Sequence, residues 1–107
     1  MKRALLTVLF GATFHTTVSA ADLELRTGNF RIVSSMAMVT VAVTNGSERS
    51  YTAVRVDCGF LGEDGIPVGS GTAFIENLVA GASGYDDAGA FNAKEATRAD
   101  CRIVEAR

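Results

Sequence analysis

The stretch Leu61–Gly71, LGEDGIPVGSG, combines four glycines with two adjacent carboxylates in eleven residues, so it is the first candidate for chemistry. A phosphate-binding loop would read G-x-G-x-x-G at the start of a helix, or carry a lysine after its glycines. Here the last glycines lead into an alternating, strand-like segment, and neither a third spaced glycine nor a lysine follows. A calcium loop spreads its oxygen ligands over about twelve residues, whereas this stretch offers only Glu63 and Asp64. The Asp64-Gly65 dipeptide therefore predicts a hairpin turn, because glycine accepts the positive φ of a tight turn.

Tyr85-Asp86-Asp87 contains the second pair of carboxylates. Neighbouring residues on a strand point to opposite faces, so Asp86 and Asp87 are not expected to act as one acid/base pair or one ion clamp. Carboxylates on a polar strand more often keep an exposed edge from pairing with other chains. A weak calcium site here, joined by Glu63 and Asp64, is the alternative hypothesis.

Met36 and Met38 have the spacing of two thioethers on one face of a strand, which would suit Cu(I) in an exported protein. Copper sites of this kind draw on further Met, His or Cys ligands, and none is left once the cysteines pair. We therefore favour methionines that fill irregular space under the sandwich. No metal or cofactor is predicted.

Residues 1–20 read as a secretory signal peptide. Lys2 and Arg3 form the positive end, the apolar run Ala4–Phe14 is too short for a membrane helix of about 20 residues, and Val18–Ala20 is a typical cleavage site. Cleavage after Ala20 would leave one small domain, residues 21–107, in the periplasm or outside the cell, with no membrane insertion.

Loss of the signal peptide would remove His15, the only histidine, and make the net charge of −2 two units more negative. Without histidine there is no Ser-His-Asp or Cys-His nucleophile pair and no imidazole base or ligand. The sole remaining lysine, Lys94, does not follow glycines. The sequence therefore predicts a protein that is not an enzyme, and an acidic balance argues against nucleic acid as a partner.

The two cysteines, Cys58 and Cys101, lie in a small chain that is expected to be exported, where oxidation is the default. Their spacing is not that of a C-x-x-C redox motif. Both fall on the apolar face of an alternating segment, so they can meet across one sheet or between two. We predict a disulfide.

Period-two alternation dominates the chain after the signal peptide. Strands are predicted at Met36–Thr44, Tyr51–Leu61, Ile66–Glu76, Ser83–Ala90 and Thr97–Glu105, with one or two shorter ones at Leu23–Arg26 and Phe30–Val33.

Asn45-Gly46-Ser47 fits a glycosylation acceptor, but we favour a turn there. Asn92–Ala96 is too short to be more than a helical turn. Six or seven strands with frequent turns predict an all-β, antiparallel sandwich with one disulfide.

Several short motifs follow one another in the order found in a known family. They are Val43-Thr44-Asn45-Gly46-Ser47, Tyr51–Val56, Asp64-Gly65 with Val68-Gly69 after it, and Leu78–Gly81. This order resembles the FxLYD family of small exported bacterial β-sandwich domains, over about half the chain. At the positions of the family's eponymous motif stand Cys58–Gly62, of which Phe60 and Leu61 keep the apolar character. The resemblance implies an immunoglobulin-like sandwich without enzyme activity or cofactor.

These observations predict an exported, non-enzymatic binding or accessory module that contacts another envelope or secreted protein. The contact would run through an exposed strand edge, with Ala82–Ala88 or the strand that begins near Pro67 as candidates, or through loops at one end. An inhibitor of an exported hydrolase is the alternative, with the hairpin at Glu63, Asp64 and Gly65 as the inserted loop.

Overall fold

The computed structural model describes residues 22–107, which form six antiparallel strands and contain no α-helix. The strands are β1 (Leu23–Val33), β2 (Met36–Asn45), β3 (Tyr51–Leu61), β4 (Pro67–Leu78), β5 (Ser83–Ala90) and β6 (Arg98–Ala106). Within this part of the chain, no helix is long and apolar enough to cross a membrane.

The strands form two three-stranded sheets, in the orders β1-β2-β5 and β4-β3-β6. This is the order of strands A, B and E over strands C′, C and F in an immunoglobulin-like sandwich. The prediction of an all-β, antiparallel sandwich is confirmed. We call the two layers the β2 sheet and the β3 sheet after their central strands.

The core lies between the two central strands because each of them alternates strictly. On β2 the residues Ala37, Val39, Val41 and Val43 are buried, and on β3 the residues Val54, Val56, Cys58 and Phe60 are buried. Successive side chains on a strand point to opposite faces, so one face of each strand meets the other sheet and the other meets solvent. These inward residues are the ones that the alternation predicts.

β1 is one strand with a bulge and not two short strands. Its pairing with β2 shifts register between Gly28 and Arg31, and Asn29 has a φ of 54°. A bulge inserts an unpaired residue without ending the ladder. The polar run Thr27–Asn29, which looks like a turn in the sequence, is accommodated in this way.

On one side of the sandwich, β4 and β5 come so close that side chains are excluded. A Cβ at Gly71 would overlap the backbone of Gly89, a Cβ at Gly84 would overlap the side chain of Ile75, and one at Gly69 would lie 2.9 Å from Ala90 Cβ. We call this the closed side. The glycines of β4 and β5 are what allow the two sheets to approach there.

On the opposite side, β1 and β6 lie at the other edges of the two sheets and do not pair with each other. Their inward apolar residues pack against the core but stay half-exposed, as for Leu25, Phe30, Ala99 and Ile103. Phe30 reaches the core from this side, with its ring centroid 6.3 Å from that of Phe60. We call this the open side.

Candidate functional site

The disulfide between Cys58 and Cys101 is confirmed, with an S–S distance of 2.08 Å. Of the two arrangements that the sequence left open, the structure has the bridge within one sheet. The cysteines are direct cross-strand partners on β3 and β6, with Cα atoms 4.0 Å apart. Cys58 is buried in the core and Cys101 is half-buried on the open side. The bridge therefore fixes β6 to the centre of its sheet.

The glycine-rich stretch around Asp64 forms the β3–β4 hairpin. Gly62 N–H donates to the Ile66 carbonyl and Gly65 N–H donates to the Gly62 carbonyl, each at 2.9 Å. The carboxylate of Asp64 accepts from Ile66 N–H at 3.0 Å, and Gly65 has a φ of 83°. Asp64 and Gly65 thus build the turn. Glu63, by contrast, is exposed and has no hydrogen bond or ion pair among residues 22–107.

Asp87 lies on the outer face of the β2 sheet and is engaged in a small polar network. Its carboxylate accepts from Thr40 Oγ1 at 2.7 Å and from Arg31 Nη2 at 2.9 Å. The Thr40 hydrogen bond, with the Arg31 hydrogen bond and charge, lowers the pKa of Asp87, while partial burial opposes that shift. This carboxylate joins β1, β2 and β5 and is therefore structural.

Asp86 lies on the opposite face of the β2 sheet from Asp87, as the strand alternation predicts. Its carboxylate accepts from the backbone N–H of Phe74 at 2.8 Å. This N–H belongs to the edge of β4 that does not pair with β3. Asp86 and Asp87 are thus used separately, and Asp64 is bound to its own hairpin. No group of three or more His, Cys, Asp or Glu side chains that could hold a metal ion occurs within residues 22–107. The geometry does not support a calcium site from these carboxylates.

Met36 and Met38 lie on the outer face of the β2 sheet, half-buried, and not under the sandwich as the sequence suggested. They flank Gly89 on the neighbouring strand: a Cβ there would lie 3.2 Å from Met36 Sδ and 3.5 Å from Met38 Cγ. The space that Gly89 leaves open is therefore filled by flexible thioether side chains. The expectation of interior methionines was wrong in position, although the packing role holds.

Asn45, the first residue of the possible glycosylation acceptor, is fully buried. Its Nδ2 donates to the carbonyls of Arg49, at 2.8 Å, and of Leu78, at 3.1 Å. Its Oδ1 accepts from Ser47 N–H at 3.0 Å. The side chain ties the β2–β3 turn to the β4–β5 link, which supports the turn interpretation.

Three connections lie together at one end of the sandwich because the six strands alternate in direction. They are the β1–β2 turn, the β3–β4 hairpin and the segment 91–97 between β5 and β6. Ala93 N–H donates to the Ser35 carbonyl at 2.8 Å, and Thr97 N–H donates to the Leu61 carbonyl at 2.8 Å. We call this surface the loop end. Its three connections are joined to one another by backbone hydrogen bonds.

Each connection of the loop end has a large exposed apolar side chain within it or directly before it. Val33 is 52%, Ile66 59% and Phe91 79% exposed. Sequence reasoning found the hairpin but missed Val33 and Phe91. The available signal was an apolar residue placed outside the alternation, directly before or after a turn.

A second feature that the sequence analysis missed is a shallow groove on the outer face of the β3 sheet. It lies over Gly59, which has nothing within 4 Å of the position of a Cβ, and its volume is about 410 Å³. Charged and polar side chains line it, namely Asp57, Ser70, Asp100 and Arg102. An outward glycine two residues after an aspartate on an alternating strand is the signal that could have indicated it.

No protein-family model matches the chain, and no curated protein or solved structure matches it either. The resemblance to the FxLYD family therefore stays a prediction. The signal peptide and its cleavage also stay predictions, because they lie outside the described residues.

Proposed function

We propose that this protein is an exported, non-enzymatic module that binds another envelope or secreted protein through its loop end. The observation that carries the proposal is the presence of Val33, Ile66 and Phe91 at the same end of the sandwich, each more than half exposed and each in or directly before a different connection. Apolar side chains surrounded by polar residues are typical of the centre of a protein interface. Glu63, Lys94 and Glu95 on the same connections would form the polar rim.

The loop end is ordered before any partner arrives. Backbone hydrogen bonds join its three connections, and the disulfide at Cys58 holds β3 to β6 only three residues before the hairpin begins at Leu61. A preorganised surface loses little conformational entropy on binding. A rigid apolar surface of this kind suits a stable protein contact.

A site-specific crosslinking experiment tests this proposal. We expect a photoreactive residue at position 91 to capture one defined envelope protein in cells, and Ile66→Ser in the same chain to abolish that capture. The matched control is a photoreactive residue at position 79, because Val79 is 54% exposed but lies in the β4–β5 link at the opposite end. Equal capture from positions 79 and 91, or capture that survives Ile66→Ser, would contradict the proposal.

Inhibition of an exported hydrolase is the second candidate, favoured by the construction of the hairpin. Its backbone is fixed by the Gly62, Gly65 and Asp64 hydrogen bonds, and Glu63 projects from it without a partner among residues 22–107. A fixed loop with a free carboxylate at its tip is suited to insertion into a cleft.

An inhibition assay against a panel of purified exported proteases and glycosidases tests this candidate. We expect Glu63→Ala to weaken inhibition while the fold stays intact. Asp64→Ala is a less specific variant, because it also removes the hydrogen bond to Ile66 N–H. Inhibition that is unchanged in Glu63→Ala would exclude this hairpin as the inserted loop.

A further inference from the structure

Among residues 22–107, no strand pairs with the outer edge of β6 on the open side. Within this range β6 pairs only with β3, and β1 opposite it pairs only with β2. Cys58 and Cys101 are cross-strand partners with Cα atoms 4.0 Å apart. Such a short separation belongs to the pair type that exchanges no backbone hydrogen bonds, about 4.5 Å, and not to the bonded type at about 5.5 Å. The N–H and C=O of Cys101 therefore point away from β3, towards solvent.

The other sheet edges are less available than this one. On the closed side, β4 and β5 lie against each other. The Asp86 carboxylate also accepts a hydrogen bond from the backbone N–H of Phe74 on β4. On the open side, β1 carries the bulge between Gly28 and Arg31. A bulge twists an edge and discourages pairing. β6 has a register irregularity of its own, between Ile103 and Glu105, but its pairing with β3 is regular from Arg98 to Ile103. Those six residues thus form the edge best suited to accept another strand.

Two charges beside Cys101 indicate which strand would pair there. Asp100 and Arg102 flank Cys101 on the outer face, and both are exposed. Neither has an ion-pair partner among residues 22–107. In an antiparallel pair of two β6 strands with the two-fold axis at Cys101, residue 100 of one copy faces residue 102 of the other. This register places each Asp100 opposite an Arg102.

We propose that the partner of the β6 edge is a second copy of this chain, paired antiparallel about Cys101. The outward N–H and C=O of Cys101 would bond to their counterparts across the axis. Asp100 and Arg102 would then fall in the adjacent unbonded pairs, where side chains on one face approach most closely. The two β3 sheets would become one continuous six-stranded sheet.

The inward face of β6 supports the same register. Ala99 and Ile103 are half-exposed on the open side, and the two-fold axis places Ala99 of one copy opposite Ile103 of the other. A small residue opposite a large one packs without a clash. Pairing would therefore cover apolar surface that β1 leaves partly open.

This inference goes beyond the proposed function and uses a different surface. Antiparallel pairing of β6 would leave both loop ends uncovered and pointing in opposite directions. The dimer would then present two binding ends, whereas a monomer would present one.

Charge exchange between two variants tests the register. We expect the purified exported form, residues 21–107, to form a dimer as its concentration is raised to about 1 mM, and sedimentation to detect that dimer. Asp100→Arg would place Arg against Arg across the axis, and Arg102→Asp would place Asp against Asp. Each variant alone should weaken self-association at least about tenfold, because each creates two like-charge contacts. An equal mixture of the two variants should recover the dimer, since every contact then joins opposite charges.

Folding and surface controls accompany the exchange. Thermal unfolding and the intact disulfide would show that each variant folds, which matters most for Arg102→Asp because residue 102 pairs with Asp57 in its own chain. Ala99→Pro provides an independent block of the edge, since its N–H is expected to face solvent near the start of β6.

A wild-type chain that stays monomeric up to about 1 mM would overturn the inference. So would a mixture of the two charge variants that fails to recover the dimer, or a dimer that Ala99→Pro leaves intact. A dimer that is lost in Phe91→Ser but kept in Asp100→Arg would place self-association at the loop end and would also overturn it. Loss of partner capture with the dimer intact would instead count against the proposed function alone.

Discussion

Gly71 of β4 lies directly against the backbone of Gly89 of β5, although the two residues belong to different sheets. A Cβ at Gly71 would overlap the carbonyl group of Gly89. The two sheets therefore meet backbone to backbone on the closed side. On the open side, where β1 and β6 are kept apart, apolar residues remain half-exposed. The sandwich is asymmetric because the glycines that leave no room for a Cβ, Gly69, Gly71 and Gly84, all lie on the closed side.

Gly71→Ala should destabilise the fold by about 1–3 kcal/mol, because the backbone of Gly89 is unable to move aside as a flexible side chain would. Chemical denaturation monitored by far-UV circular dichroism measures the change. Gly59→Ala is the matched control: it lies on β3, next to β4 in the same sheet, with nothing within 4 Å of the added Cβ. We expect Gly59→Ala to leave stability unchanged or to raise it slightly. Equal losses in both variants would contradict the close approach at Gly71.

Asn45→Ala should cost about 1–3 kcal/mol, because it removes, from a fully buried site, the donor to the carbonyls of Arg49 and Leu78. Asn45→Asp should cost more, since it turns an acceptor towards those carbonyls and buries a charge. Denaturant unfolding of both variants checks this order. Ser50→Ala is the control, because Ser50 is exposed in the same turn, and it should change little. A glycan found on Asn45 of the folded protein would contradict the burial of this side chain.

Removing the disulfide with the double substitution Cys58→Ala and Cys101→Ala should lower stability by about 2–5 kcal/mol, the range typical of small domains held by a disulfide. The bridge joins residues 43 positions apart, so the unfolded chain gains considerable freedom without it. Denaturant unfolding of the variant, compared with the wild type under oxidising and reducing conditions, provides the measurement. The reduced wild type and the variant should agree. Two free thiols in the oxidised wild type, detected by mass spectrometry, would contradict the bridge.

The stability that Asp87 contributes should depend on pH in one direction. Its folded pKa is lowered, chiefly by the hydrogen bond from Thr40 and also by Arg31. The pKa of an Asp side chain in an unfolded chain is about 3.9. The contribution is therefore present above that pH and is lost as pH falls through the lower, folded pKa. The effect should be small, since this carboxylate is 42% exposed.

NMR titration of the Asp87 carboxylate measures this pKa directly. Thr40→Val should raise the pKa of Asp87 towards its usual value, and Asp87→Asn should flatten the stability profile at acid pH. The neighbouring Asp86 serves as the internal reference, because it bonds to Phe74 N–H and not to Thr40. A pKa of Asp87 that is unchanged in Thr40→Val would contradict the role of this hydrogen bond.

The alternation of β2 and β3 could be predicted residue by residue because period two is a local property of an extended chain. The hairpin at Asp64-Gly65 could be predicted for the same reason, since its turn geometry depends on those residues themselves. The bulge in β1 could not, because Thr27–Asn29 is compatible with either a turn or an inserted residue. Only the continuation of the ladder on β2 decides between them.

The candidate surfaces depend on contacts that are distant in the sequence. Val33, Ile66 and Phe91 lie in or directly before three separate connections, and only the alternating strand directions bring them to one end. The edges expected to be free, in Ala82–Ala88 and at Pro67, lie on the closed side, whereas the freest edge belongs to β6. Strand composition alone does not show which edges face each other.

By itself, the sequence determined the class of the fold, the inward and outward faces of its strands, the disulfide and the lack of histidine after His15, because each follows from residue type or from spacing along one strand. The tertiary structure alone decided that the bridge lies within one sheet, that glycines close one side, and that β6 keeps a free edge. Those features depend on how the two sheets stack, and stacking is set by packing between residues far apart in the chain.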